Sequence, residues 1–355
     1  MKSATVTLDQ TSIELALPDT TDVLSMAVPK SIEEPEKAIG EALDHSIGLP
    51  GLSDVVRTRL DENPNARAVI VISDNTRPVP YTGKKGILWP IVERLLGQGM
   101  KKERILVIVG LGTHRPLTEK ELHDLIDPRV FEAGIRIQNH DCQDTENLTD
   151  LGETARGSRI YINRLYMEAD IKILTGLVES HFMAGVSGGR KSVLPALAGE
   201  RSTYIFHGPE MLGSPEARDL NLENNPCHEE SLEMARRAGV DFIVNVTLDE
   251  SFELTGVFAG DLEAAHEAAV KRIREYVAIP IEKTYDLVIT HAGYVGINHY
   301  QACKAAVVAG YALKPGGRLI LIGANTDTDP VGSPKYRSVL YLLKFMGPEL
   351  SLIHI

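Results

Sequence analysis

The sequence predicts an α/β fold of two domains with Rossmann-like parallel sheets, the C-terminal domain reading as truncated. Three observations predict it. Short β-rich runs alternate with longer helical patterns, polar clusters rich in Gly and Pro directly follow the apolar runs, and the alternation restarts near Asp286 after a Pro-containing stretch. In an open parallel sheet ligands bind beyond the carboxyl ends of the strands, so those clusters are where chemistry is expected.

Strands are predicted over Ala68–Ser73 (AVIVIS), 104–110 (RILVIVG), 171–176 (IKILTG) and Phe242–Leu248 (FIVNVTL). Between the first two, Ile87, Leu88, Ile91, Val92, Leu95 and Leu96 recur at helical spacing within 85–99, and Gly97 and Gly99 end that helix. A charged helix over 261–276 leads into 278–283, expected to be a hinge. It separates an N-terminal α/β domain, 1–277, from a C-terminal α/β domain, 284–355. In the latter, DLVITHAG reads as a strand, 300–313 as an Ala/Val-rich helix, 313–323 as a turn and strand, and 335–346 as a helix. So few elements make a thin domain, which is therefore expected to be incomplete.

Composition narrows the function. With 355 residues and 43% hydrophobic content, the chain can bury sizeable cores. Lys plus Arg number 37 against 49 Asp plus Glu, a formal charge of -12, which does not suit a nucleic-acid binder. No apolar run reaches about 18 residues, so no membrane association is expected and a cytoplasmic location is. Cys142, Cys227 and Cys303 lack paired spacing and read as small hydrophobes in a reducing compartment.

Four clusters carry candidate chemistry. Ser73-Asp74-Asn75-Thr76-Arg77-Pro78 follows the first strand, as either a self-satisfied turn or a binding loop. Gly110-Leu111-Gly112-Thr113-His114-Arg115-Pro116 follows the second, and Arg115 is expected to depress the pKa of His114. The third runs from Gly176 through His181 to Gly188-Gly189-Arg190-Lys191-Ser192. It reads as a phosphate-cradling turn feeding a helix N-terminus, but Arg190 stands where a P-loop needs Gly. At a helix start, Lys191 would have a lowered pKa from the helix dipole and Arg190, giving a nucleophilic amine or else a phosphate-binding one. The fourth is Ile205-Phe206-His207-Gly208-Pro209, with His207 in a turn. If His114, His181 and His207 converge, a zinc site is the alternative. His45, His123, His140, His228, His266, His291, His299 and His354 read as surface or capping groups.

Together SDNTRP, GTHRP, HFMAGVSGGRKSVLPALAG and IFHGP, joined by Tyr300-Gln301-Ala302-Cys303-Lys304, resemble the nickel-dependent lactate racemase family. The resemblance runs from about Asp74 to Lys304 and implies a cofactor, the nickel-pincer nucleotide Ni(II)-pyridinium-3,5-bisthiocarboxylate mononucleotide, covalently on Lys191. It implies His207 as the protein ligand to nickel, and His114 and His181 as the catalytic imidazoles. Asp74, Asn75, Thr76 and Arg77 would hold the cofactor, while Arg77, Gln301, Lys304 and Tyr300 would bind substrate. The resemblance thus implies that the N-terminal domain, 1–277, is cofactor-binding and the C-terminal domain, 284–355, substrate-closing. The implied partners are a small 2-hydroxy acid and the cofactor-synthesis enzymes.

The chemistry suits those residue types. The carbon-hydrogen bond of a 2-hydroxy acid is too weakly acidic for an imidazole base, so inversion by hydride transfer is expected, one histidine serving each enantiomer's hydroxyl. Soft sulfur donors with one imidazole suit square-planar Ni(II). The expected function is a 2-hydroxy acid racemase or epimerase, lactate-racemase-like, and therefore an isomerase. Two alternatives stand beside it: a nucleotide or metal-cofactor binding protein without racemase activity, and a zinc-dependent hydrolase using the three histidines.

Overall fold

The structure, a computed structural model, describes residues 1–8, 11–293, 296–327, 331 and 334–354. Strands β1 (Lys2–Leu8) and β2 (Thr11–Leu17) pair antiparallel. Then come β3 (Ala68–Ser73), β4 (Ile105–Gly110) and β5 (Arg136–Asn139). The pair β6 (Leu148–Glu153) and β7 (Arg159–Asn163) stands apart from the main sheet. Strand β8 (Ile171–Leu177) precedes a miniature antiparallel hairpin of β9 (Ser180–His181) and β10 (Gly185–Val186). Strands β11 (Phe242–Leu248) and β12 (Leu254–Gly260) follow, then β13 (Tyr285–His291) and β14 (Leu313–Ile322).

The chain divides into two units, one of residues 27–278 and one joining 1–26 to 279–355. In the larger unit a six-stranded sheet has the order β12-β11-β8-β3-β4-β5. All its pairings are parallel except that of β11 with β12. The sheet grows outward from β3, with β4 and β5 added on one side and β8 and β11 on the other. A topological switch point thus lies at β3, where the carboxyl ends of β8, β3 and β4 stand side by side.

Strand β3 is a continuous apolar run because both its faces are covered. Ile70 and Ile72 face a core shared with Leu43, Val56, Leu88 and Ile91 of the helices Pro35–Asp44, Leu52–Glu62 and Leu88–Gly97. Val69 and Val71 face a second core with Leu194, Leu197, Phe206 and Met234. Each such side chain contributes about 1.5–3 kcal/mol by burial, so the strand is held from both sides.

Boundaries differ from expectation where local chemistry intervenes. The helix predicted over 85–99 is Leu88–Gly97, because Gly86 is taken into a turn with Gly83. That predicted over 261–276 is Ala264–Val277, because the Asp261 carboxylate accepts the Glu263 and Ala264 amides ahead of the helix.

In the smaller unit β13 and β14 pair in parallel, with the helix His299–Gly310 between them in sequence and packed on both. Residues 1–26 group with this unit. Leu8 bridges to Gly293, and Asp22 accepts hydrogen bonds from Lys283 and the Tyr285 hydroxyl. The final helix, Pro334–His354, is interrupted at Gly347, whose φ of 76° no helix contains. No helix among the described residues is long and apolar enough to cross a membrane.

Candidate active site

The loop after β3 is organised by Asp74. Its Oδ1 accepts the Thr76 amide (3.2 Å) and hydroxyl (2.6 Å), a local turn that leaves Oδ2 for another partner. That partner is His114 Nδ1 at 2.6 Å, delivered by the loop after neighbouring strand β4. Burial pushes the Asp74 carboxyl up, but the bonds from His114 and Thr76 and the charge of Arg77 outweigh it, and the pKa is lowered. An ionised carboxylate only accepts, so Nδ1 donates and the Nε2 lone pair of His114 is left to act as a base.

Arg115, next to His114 in sequence, is engaged with a carboxylate. Its guanidinium forms a two-pronged pair with Glu121, at 2.9 and 2.6 Å. Glu121 also completes a capping box with Thr118 and accepts from Asn75. Asn75 and Thr76 are thus both engaged in holding this loop.

The loop after β8 presents His181 on the β9–β10 hairpin. Its Nδ1 accepts the amides of Ala184 (3.2 Å) and Met183 (3.4 Å), so the proton of the neutral ring sits on Nε2. Nε2 lies 3.0 Å from Lys191 Nζ. Desolvation, then the charges of Arg77 and Arg190, push the Lys191 amine well below its ordinary value. A neutral amine accepts from Nε2–H, so the two assignments agree.

Lys191 sits in a short 3-10 turn, Gly189–Ser192, and not at the start of an α-helix. The expected helix-dipole effect and phosphate cradle are accordingly replaced by burial and charge. The turn is tightly seated. At Gly188, φ is 77° and a Cβ would meet Asn245 Oδ1 and Val178 Cγ2, both at 2.7 Å, while Asn245 Oδ1 accepts the Gly189 amide at 2.8 Å.

His207 follows the helix Glu200–Phe206 directly, as its C-cap. Protein surrounds the imidazole densely although its surface is open. Burial, then the positive charges of Lys191 and His114, bring it down to about 4, so it is a neutral nitrogen donor at pH 7. Arg77 Nε lies 3.7 Å from Glu179, which joins the loops after β3 and β8.

The switch point therefore gathers Asp74, Arg77, His114, His181, Lys191 and His207. A three-histidine zinc centre is not assembled, because among the described residues no three His, Cys, Asp or Glu side chains form a metal-holding group. Gln301 and Lys304 lie on the helix His299–Gly310 of the smaller unit, and the Gln301 amide is capped by Asn298 at 3.0 Å. The side chain of Tyr300 falls outside the described residues.

Lys191 thus offers an amine held low and His207 an imidazole held neutral, a donor pair of the kind the family resemblance expects. Sequence reasoning missed the Asp74–His114 couple, although the two motifs follow predicted strands. It also read His140 and His266 as surface or capping groups. Both are buried, His140 beneath the Ala198 carbonyl and His266 against Arg190, and no local pattern marks either.

Comparison with known proteins gives the family. Residues 8–219 match the family model of the lactate racemase N-terminal domain. A lactate racemase of Lactiplantibacillus plantarum is 35% identical over 293 residues, which are 82% of this chain and 66% of that protein. One from Thermoanaerobacterium thermosaccharolyticum is 33% identical over 299 residues, with the same coverages. The chain thus spans 66% of the length of the curated relatives it matches. A solved lactate racemase apoprotein from the latter organism superposes with a TM-score of 0.85 at 27% identity, over 99% of this chain and 80% of that one. This chain therefore belongs to the lactate racemase N-terminal domain family.

Proposed function

We propose that this chain is an isomerase, a racemase or epimerase of a small 2-hydroxy acid, working by reversible hydride transfer. In this reading Lys191 carries a nickel-pincer nucleotide covalently and His207 ligates its nickel, with Asp74, Asn75, Thr76 and Arg77 around it. The observation that carries the reading is the Lys191 amine, depressed by desolvation and positive charge and 3.0 Å from His181. A half-buried lysine held neutral is a nucleophile prepared for acylation.

When bound, the group supplies a hydride acceptor. The chain's own residues do the rest. Asp74 holds His114 Nδ1–H, so that Nε2 can take the hydroxyl proton of one enantiomer and return it. In this reading His181 serves the other enantiomer, a role that requires its ring proton to leave Nε2 once Lys191 is acylated and no longer accepts it. Arg77 holds the substrate carboxylate, with Gln301, Lys304 and Tyr300 contributing from the smaller unit. Cofactor-synthesis enzymes are the required partners, and the proposed location is the cytoplasm.

The test is chiral analysis of a panel of 2-hydroxy acids, lactate included, with protein co-produced with cofactor-synthesis enzymes. One acid is expected to be racemised. His114→Ala is expected to abolish turnover while retaining nickel and the Lys191 adduct. An adduct-bearing protein inactive on every acid would instead leave a cofactor-binding protein.

A further inference from the structure

Behind the active-site lysine lies a buried polar group that the reaction does not use. Arg190 is 1% exposed, one of the largest fully buried side chains. Its Nη2 donates to the carbonyl oxygens of Ala184 (2.9 Å) and Val186 (3.0 Å), and its Nη1 lies 3.0 Å from His266 Nε2. Ala184 and Val186 belong to the β9–β10 hairpin and its turn, which present His181. Arg190 itself belongs to the turn that presents Lys191. His266 comes from a third element, the helix Ala264–Val277.

We propose that Arg190, backed by His266, is a positioning residue that clamps the His181 hairpin onto the Lys191 turn and so fixes the contact between these two side chains. The proposal rests on the functional reading above for its purpose, but not for its geometry. The hairpin is a tight one. His181 Nδ1 accepts the Ala184 amide while Arg190 takes the Ala184 carbonyl, so one residue's backbone is gripped from both ends. Without the guanidinium, the Ala184 and Val186 carbonyls each lose a donor from the Lys191 turn, the Ala184 carbonyl keeping only the Val186 amide of its own hairpin at 2.8 Å.

The support beneath the clamp is equally close. A Cβ on Gly189 would come within 2.9 Å of the His266 ring, so the turn presses directly on the imidazole. His266 Nε2 faces both Arg190, which only donates, and the Ser187 carbonyl at 2.9 Å, which only accepts. A single ring nitrogen satisfies one of them at a time. Glutamine, with a separate acceptor and donor on one amide, can satisfy both. The charge of Arg190 serves the same end, since it is among the causes that hold the Lys191 amine low, after desolvation and Arg77.

The experiment uses the whole chain without cofactor, so its outcome is independent of whether the loaded protein is a racemase. Side-chain 15N resonances of His181 report which ring nitrogen carries the proton, and hydrogen exchange reports the Ala184 amide. In Arg190→Met, the His181 pattern is expected to become an average of the two tautomers, with Ala184 exchanging at least about tenfold faster and the β3 amides unchanged. Arg190→Lys should recover part of both effects, and His266→Gln should preserve the wild-type pattern. A folded Arg190→Met protein with the wild-type His181 pattern and Ala184 exchange overturns the proposal. If that variant does not fold, His266→Leu carries the test: faster Ala184 exchange with β3 unchanged supports the clamp, and wild-type behaviour refutes it. Should the clamp variants behave as expected while no hydroxy acid is racemised, the functional reading fails and the clamp stands.

Discussion

At the scale of single residues, what distinguishes the site is the control of proton positions. Asp74 is an ionised acceptor, so it fixes His114 with the proton on Nδ1 and the basic lone pair on Nε2. Asp74→Asn keeps the shape of the side chain but offers an amide that can donate, which favours the wrong tautomer. Turnover is expected to fall by roughly a thousandfold or more, with nickel content unchanged, as measured by chiral analysis beside metal analysis. In the proposed function His207 is the reverse case, needed for its lone pair and not for a proton. His207→Ala should leave the Lys191 adduct detectable by mass but lower the retained nickel by at least about tenfold after dialysis.

At the scale of elements, the site depends on turns that no propensity scale would single out. Gly188→Ala places a Cβ against Asn245 and Val178 in a backbone region that L side chains avoid. The expected cost is about 2–4 kcal/mol in chemical denaturation, from overpacking and backbone strain together. The helix Glu119–Leu125 holds the Arg115 side of the His114 loop through Glu121, and its capping box starts at Thr118. Thr118→Ala should cost about 1 kcal/mol.

The same elements show what could be read in advance. Strand β3 was legible because a strand covered on both faces is an unbroken apolar run, and the helix Leu88–Gly97 because its apolar stripe keeps a helical period. The loops were legible as places for chemistry because polar residues follow those runs immediately. The short 3-10 turn at Lys191 was not. Its Gly-Gly-Arg-Lys pattern matches a helix-capping loop locally, and only burial against Asn245 and His266, both distant in sequence, makes it something else. Likewise residues 1–26 carry no local mark of their association with 279–355, which is made by pairings such as Asp22 with Lys283.

At the scale of the whole molecule, buried histidines set the response to acid. His266 and His228 stand at about 3 against an ordinary 6.5, with burial the first cause and the charge of Arg190 next. The unfolded chain therefore binds more protons than the folded one between pH 6.5 and 3, so their contribution to stability is intact above pH 6.5 and lost as pH falls through that window. Asp219, raised by burial to about 6, acts in the opposite direction between pH 3.8 and 6, but it is one group against three, since His207 at about 4 acts with His266 and His228. Thermal unfolding should show a lower Tm at pH 5 than at pH 7.5, and His266→Gln should narrow the difference without abolishing it, because His228 remains.

The proposed function turns on Lys191 carrying a cofactor. The mass of the proteolytic peptide containing Lys191, from protein co-produced with the cofactor-synthesis enzymes, tests it together with nickel content. The expected result is an adduct on Lys191 with near-stoichiometric nickel. An unmodified Lys191, under conditions that load a lactate racemase control, would contradict it.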